Sequence, residues 1–251
     1  MAQELNKQVA LITGAARGVG RATALRLARA GCDIIINYYN SSDLASQLAT
    51  EIEAMGVAAL TIQANVSEPD SVNEMMQAVS QRYDHIDILV SNAASGVLKP
   101  AMEMKLKHWR WCLETNAYAL PLLVQQAKSL LQPGARVIAV SSLGAIRSLP
   151  NYSYIAASKA ALESLVRSLS FELAADDIRI NAVSPGLLNT DAIKYFPERE
   201  RLFKLFAERA LTKTELTPAH VADTIYLLCL PEAAMIKGQT IFVDAGYATV
   251  G

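Results

Sequence analysis

Short β-rich runs alternate with longer stretches of helical period along the whole chain, and few folds admit that rhythm. The runs fall at 9–13, 33–38, 58–63, 86–90, 136–141, 179–183 and 239–243. Several are apolar without alternation, the pattern of parallel strands covered on both faces. Helical period runs between them through 18–30, 42–55, 69–82, 107–131, 152–174 and 218–229. This βαβα order predicts an α/β fold: a doubly wound parallel sheet of about seven strands with helices on both faces. With 251 residues, 52% of them apolar, the chain can close one such domain; no repeat, low-complexity tract or linker divides it.

The turn after the first strand reads Thr13-Gly14-Ala15-Ala16-Arg17-Gly18-Val19-Gly20. Glycines there permit a tight bend and close approach of backbone to a pyrophosphate, whose charge a helix N-terminus favours. With a strand before it and a helix after, the loop is expected to bind a nucleotide rather than merely turn the chain. Gly14, Ala16, Arg17, Gly18, Val19 and Gly20 form the candidate cradle. The second strand ends in Asn37-Tyr38-Tyr39-Asn40, and no acid follows until Asp43. A carboxylate at that point would bond a ribose 2′-hydroxyl and repel a 2′-phosphate. Its absence, with Arg17 in reach as a phosphate partner, points to NADPH.

Polar and small residues recur at the ends of later strands, where a switch-point crevice would collect them. Asn65-Val66 follows the third strand, Ser91-Asn92-Ala93-Ala94 the fourth, Ser141-Ser142 ends the fifth, and Ser184-Pro185-Gly186 with Thr190 follows the sixth. Asn65, Val66, Asn92, Ala93, Pro185, Gly186 and Thr190 therefore join the cofactor set. Asn116 is a poor helix former inside a helical run, which suggests a kinked or water-linked helix at the site. Farther on, Tyr152 precedes Lys159 by seven residues, nearly two helical turns, so the two share a face. Tyr154, five residues from the lysine, points off that face.

These motifs together resemble the short-chain dehydrogenase/reductase pattern over essentially the whole length. Thr13-Gly14 with Gly18 and Gly20, Asn92-Ala93-Ala94, Asn116, Ser142, Lys159 and Asn181-Ala182-Val183-Ser184-Pro185-Gly186 with Thr190 carry the likeness. Two departures stand out. The family's Asn-Asn-Ala-Gly becomes Ser91-Asn92-Ala93-Ala94, and its Tyr-x-x-x-Lys becomes Ile155-x-x-x-Lys159. The form Asn151-Tyr152 followed by six residues and Lys159 is similar to the divergent enoyl-acyl carrier protein reductases. The stretches 92–100, 141–147 and 237–241 look like the NADPH-dependent enoyl-acyl carrier protein reductase III type. The resemblance implies a Rossmann-type fold and a site of Tyr152, Lys159, Ser142 and Asn116, with Lys159 also holding the ribose. It further implies an acyl carrier protein or coenzyme A thioester as substrate. A homotetramer follows too, in which helices 107–131 and 152–174 pair across a two-fold axis.

Chemistry gives a reason for a displaced tyrosine. In ketone reduction, hydride and acid meet at one carbonyl. In enoyl reduction, hydride goes to the β-carbon while charge develops on the thioester oxygen, two carbons along, so the acid must sit farther away. Two other readings stay open: a ketoacyl-thioester or alcohol oxidoreductase in which Tyr154 or Ser142 replaces the lost acid, and a non-catalytic nucleotide-binding relative.

The segment 191–213 occupies the family's substrate-lid position, with an apolar face of Phe196, Leu202, Phe203, Leu205 and Phe206. Its basic side, Lys194, Arg199, Arg201, Lys204, Arg209 and Lys213, could steer an acidic carrier protein or be a solvated helix face. Net charge of −1 and pI near 6.3 argue against nucleic-acid or anionic-membrane binding. Cys32, Cys112 and Cys229 lack metal or disulfide spacing, no apolar run approaches a membrane span, and the expected location is cytoplasmic.

Overall fold

The computed structural model describes residues 4–190, 193, 199–212 and 214–249. Its strands are β1 (Val9–Ile12), β2 (Asp33–Tyr38), β3 (Ala59–Gln63), β4 (Ile86–Ser91), β5 (Leu131–Val140), β6 (Arg179–Pro185) and β7 (Thr240–Val243). The helices are α1 (Gly18–Arg29), α2 (Ser42–Glu53), α3 (Pro69–Ser80), α4 (Leu106–Leu113), α5 (Ala119–Gln126), α6 (Ser153–Glu172), α7 (Arg199–Arg209) and α8 (Pro218–Cys229). The strands form one parallel sheet in the order β3-β2-β1-β4-β5-β6-β7, the doubly wound arrangement read from the sequence.

Apolar runs without alternation are explained by two core layers. Successive residues of a strand point to opposite faces. Ala10 and Ile12 of β1 pack with α1, α2 and α8 on one side, whereas Val9 and Leu11 pack with α3, α5 and α6 on the other. Ile34, Ile35 and Ile36 of β2 are all fully buried, so both faces of that strand lie in a core. Each such side chain stabilises the fold by about 1.5–3 kcal/mol.

The strand order reverses between β1 and β4. Ile12 of β1 lies beside both Ile36 of β2 and Val90 of β4, which brings the loops that follow β1, β2 and β4 to one edge. A crevice at such a point is where ligands bind in open α/β sheets.

Two elements differ from expectation. The stretch 107–131 is not a single helix: α4 gives way to a π-helical turn at Glu114–Tyr118, and α5 ends at Gln126. Pro121 cannot donate a backbone hydrogen bond, so the ladder is already broken next to that turn. β5 starts at Leu131 instead of 136, and its register with β4 shifts between Ile86 and Ile88 to admit Pro133-Gly134. Of the expected lid, residues 191–192, 194–198 and 213 lie outside the described residues, Phe196, Lys194 and Lys213 among them.

Candidate active site

The C-terminal ends of the strands enclose a cavity of about 1020 Å³. Gly14, Ala16, Arg17, Gly18, Val19, Asn37, Tyr38, Tyr39, Asn40, Asn65, Val66, Asn92, Ala93, Pro185, Gly186 and Thr190 line one side. Ser142, Tyr152 and Lys159 line it farther along, with Leu187, Leu202, Leu205, Phe206 and Tyr247. Gly20 and Asn116, also expected at the site, are not part of this lining.

The cradle end is built by backbone proximity. Gly14 has φ +61°, a region open to glycine, and a Cβ there would lie 3.0 Å from the Ala93 Cα. Gly20 works by packing: a Cβ on it would strike the Gly14 carbonyl and the Asn92 amide. The Asn92 side chain donates to the carbonyls of Thr13 (2.8 Å) and Gly14 (3.1 Å), and Thr13 Oγ1 accepts from the amides of Asn92 and Ala93. These bonds lock the loops after β1 and β4 together. Asn37, 1% exposed, accepts from the Gly14 amide at 3.3 Å and donates to the Ala64 carbonyl at 3.1 Å. Its amide is therefore committed to holding loops, and Tyr39, Asn40 and Arg17 are the exposed groups beside the second strand's end. Arg17 is the N-cap of α1 but no side chain caps the helix, so its first-turn amides face the cavity edge without a side-chain acceptor. A tight glycine loop, an uncapped helix start and an exposed arginine fit a phosphorylated dinucleotide.

At the far end, Lys159 is 4% exposed and donates from Nζ to the Val140 carbonyl at 2.6 Å. Burial lowers its pKa to about 8, while the charge of Glu163, one turn along the helix, raises it. Tyr152 is the N-cap of α6, with φ −109° and ψ 4°, so the helix proper begins one residue later than expected. Asn151 before it adopts φ +59°, which asparagine tolerates better than most residues, and this turn presents the tyrosine to the cavity. The Tyr152 hydroxyl donates to Ser142 Oγ at 3.3 Å, and Ser142 Oγ also accepts from the Gly144 amide at 3.1 Å. The ring rests on Gly144, where a Cβ would collide with it. Burial pushes the phenol up from its ordinary value, which keeps it protonated.

Ile155 fills the position four residues before the lysine with hydrocarbon, packed so closely on Gly96 that a Cβ there would collide with it. Tyr154 packs edge-on against Trp109, with ring centroids 5.3 Å apart, and does not join the lining. Asn116 sits in the π-helical turn, 3% exposed, and donates to the Ser95 carbonyl (2.8 Å) and to Ser158 Oγ (2.9 Å) while accepting from the Ser95 amide (2.8 Å). The expected kink is real, but its asparagine grips the loop after β4 and α6 instead of facing the cavity.

Sequence reasoning did not single out Tyr247 or Glu163. Tyr247 stacks on Phe206 with centroids 5.0 Å apart, and Asp244 holds that tail by accepting from the amides of Gly246 and Ala248. Only the folded chain brings the tail back over the site. On α7, Arg199 donates to Asn189 Oδ1 and lies over the Phe203 ring, and Lys204 is within 4.0 Å of Glu208. Part of the expected basic rim is thus engaged within the chain.

Residues 14–248 match the family model described as Enoyl-(Acyl carrier protein) reductase. Among curated relatives, 1-cyclohexenylcarbonyl-CoA reductase of Streptomyces collinus is 36% identical over 97% of this chain and 88% of its own length. The 3-oxoacyl-[acyl-carrier-protein] reductase of a Synechocystis strain is 34% identical over 96% and 97%. A short-chain dehydrogenase of Burkholderia cenocepacia, solved in complex with NADP, superposes with TM-score 0.91 at 30% identity, covering 98% of this chain and 99% of that one. A blue fluorescent protein from a metagenomic library, solved with NADPH, gives TM-score 0.90 at 31% identity over 98% and 99%. The chain belongs to the short-chain dehydrogenase/reductase family, a class of oxidoreductases. No helix among the described residues is long and apolar enough to cross a membrane.

Proposed function

We propose that this protein reduces the 2,3 double bond of an enoyl thioester, carried on coenzyme A or an acyl carrier protein, with NADPH. The single observation behind this reading is the placement of the acid. Tyr152 reaches the cavity from the start of α6 on Ser142, while Ile155 seals the position that would put a phenol beside Lys159. Tyr154, the other candidate acid, is packed on Trp109.

Gly14, Gly18, Arg17 and the start of α1 would hold the pyrophosphate and 2′-phosphate, and Lys159 the ribose; bound NADPH supplies the hydride. Tyr152 and Ser142 then face the thioester oxygen. With substrate bound, the Tyr152 hydroxyl would turn its one proton from Ser142 to the thioester oxygen and stabilise the negative charge that develops there. Burial keeps that phenol protonated, and a proton taken up from solvent at the α-carbon completes the reduction. Lys159, charged below about pH 8, adds positive potential along the same edge. Leu187, Leu202, Leu205 and Phe206 give the acyl chain an apolar wall that excludes water. The printed name of the Streptomyces collinus relative, an enoyl-type coenzyme A thioester reductase, supports this reading, and the Synechocystis relative names its competitor.

Purified protein should oxidise NADPH with crotonyl-CoA and leave acetoacetyl-CoA nearly untouched. Faster turnover of the ketothioester would reverse the assignment. Replacing Asn40 by aspartate should move cofactor preference toward NADH, because a carboxylate beside a 2′-phosphate is repulsive; an unchanged NADPH/NADH ratio would remove that loop from cofactor selection.

A further inference from the structure

Glu163 is a buried carboxylate that the chemistry above leaves without work. It is 8% exposed, on α6, one turn after Lys159. Its Oε1 accepts a hydrogen bond from Ser141 Oγ at 2.6 Å, inside the protein. Ser141 is itself 4% exposed, and its backbone amide donates to Val183 of β6 at 2.8 Å. The end of β5 is therefore held from two sides, by the neighbouring strand and by this carboxylate.

What lies on either side of Ser141 gives the contact its meaning. Val140, the residue before, supplies the carbonyl that accepts from Lys159. Ser142, the residue after, supplies the hydroxyl that accepts from Tyr152. Both groups that fix the working side chains thus flank the one residue tied to Glu163. A buried carboxylate is costly unless paired or bonded, and a hydrophobic residue would fill this helix position more cheaply.

We propose that Glu163 is a positioning residue of this site: through Ser141 it pins the end of β5 to α6, and its negative charge faces Lys159 one helical turn away. The strand clamp sets the distances from Val140 and Ser142 to the lysine and tyrosine. The charge offsets the desolvation of the ammonium. Other ionisable groups occur on α6 and on the elements packed against it: Lys107, His108, Arg110 and Cys112 on α4, Glu114 and Tyr118 in the π-helical turn, Asp176 in the turn Ala174–Asp176, Arg179 on β6, and Tyr154, Arg167 and Glu172 on α6 itself, which Tyr152 starts. Burial is the larger effect on the lysine, and the Glu163 charge counters part of it.

The inference rests on Lys159 serving the cofactor, not on which thioester is reduced, so the first readout needs no turnover. NADPH affinity is followed by fluorescence from pH 6 to 10 in the wild-type protein, Glu163→Gln and Ser141→Ala. Glutamine keeps an oxygen for Ser141 and removes the charge. Its affinity should match wild type at pH 6 and fall away about one pH unit earlier as pH rises. Ser141→Ala keeps the charge and removes the tether, so kcat, measured well below the thermal midpoint, should drop about tenfold at every pH, while the midpoint itself falls because the buried carboxylate loses its hydrogen bond. Coincident pH curves for Glu163→Gln and wild type would overturn the electrostatic half. If Glu163→Gln does not fold, Ser141→Ala decides alone: wild-type kcat there overturns the proposal, and a uniform loss supports it. A wild-type protein that binds NADPH but reduces no thioester would sink the proposed activity while leaving the binding test intact.

Discussion

The hydroxyl of Tyr152 and the ammonium of Lys159 carry the sharpest expectations at the scale of single residues. Removing the hydroxyl deletes a contact made to charge that develops during reaction, and leaves the nucleotide cradle untouched. Tyr152→Phe should therefore lower kcat on the order of 10²- to 10³-fold with little change in NADPH affinity. Tyr154→Phe keeps the ring and its edge-on contact with Trp109, removes a hydroxyl from a residue outside the cavity lining, and should stay within a few-fold of wild type. A larger loss in Tyr154→Phe would show that the acid had been assigned to the wrong ring. For Lys159 the sign of the pH effect follows from burial. Its folded pKa is lowered to about 8, so the ammonium is present below that value and lost as pH rises through it. The pH profile of kcat/KM should bend downward near pH 8, and a flat profile to pH 9.5 would deny Lys159 a charged role.

Helix α6 and the loop after β4 are interlocked at the scale of elements, and the lock explains why the familiar tyrosine position is closed. Ile155 lies on Gly96, so a larger ring at 155 or any side chain at 96 must displace packed atoms. Ile155→Tyr should cost about 1–3 kcal/mol of stability through overpacking. It should confer no ketothioester reduction. A variant as stable as wild type in denaturant, with new acetoacetyl-CoA activity, would refute this account.

Sequence pattern resolved most of these elements, because period and burial coincide: Ile34 to Ile36 read as a strand covered on both faces and are buried on both. The cradle was legible for the same local reason, since glycine spacing and strand-to-helix order lie within eight residues. What escaped was set by distant partners. Asn116 could be flagged as a poor helix former, but its grip on Ser95 and Ser158 spans 21 and 42 residues. The early start of β5 depends on a register shift against Ile86. Tyr152 was expected to share a helix face with Lys159; it lies instead at the N-cap position of α6, and the left-handed Asn151 supplies the orientation that helical phase was expected to give.

At the scale of the whole molecule, which apolar residues stay exposed in the folded chain bears on assembly. The small and aliphatic residues of helices 107–131 and 152–174 that sequence pattern offers for contact with a partner divide in the fold: Ala119, Leu120, Leu123 and Ala127 are buried in the chain itself, whereas Ala160 is exposed and Ala161, Leu165 and Leu169 are half-buried. Other residues add to the second group. Leu106 on α4, Tyr118 in the π-helical turn and Phe171 on α6 are exposed by 63%, 47% and 86%. Large apolar side chains on elements that pack together are unusual on a solitary surface and suit a symmetric contact. The same elements carry Tyr152, Lys159 and the Asn116 grip, so a partner on this face would also stiffen the site. We expect a homo-oligomer, a tetramer by likeness to the family, whose mass falls when Tyr118 and Phe171 are both replaced by glutamate. Light scattering at micromolar concentration checks both states. The double variant should stay folded, since neither side chain is in the core, and should lose activity as the subunits part. A wild-type protein that scatters as a fully active monomer would leave this face without a partner and end the argument for assembly.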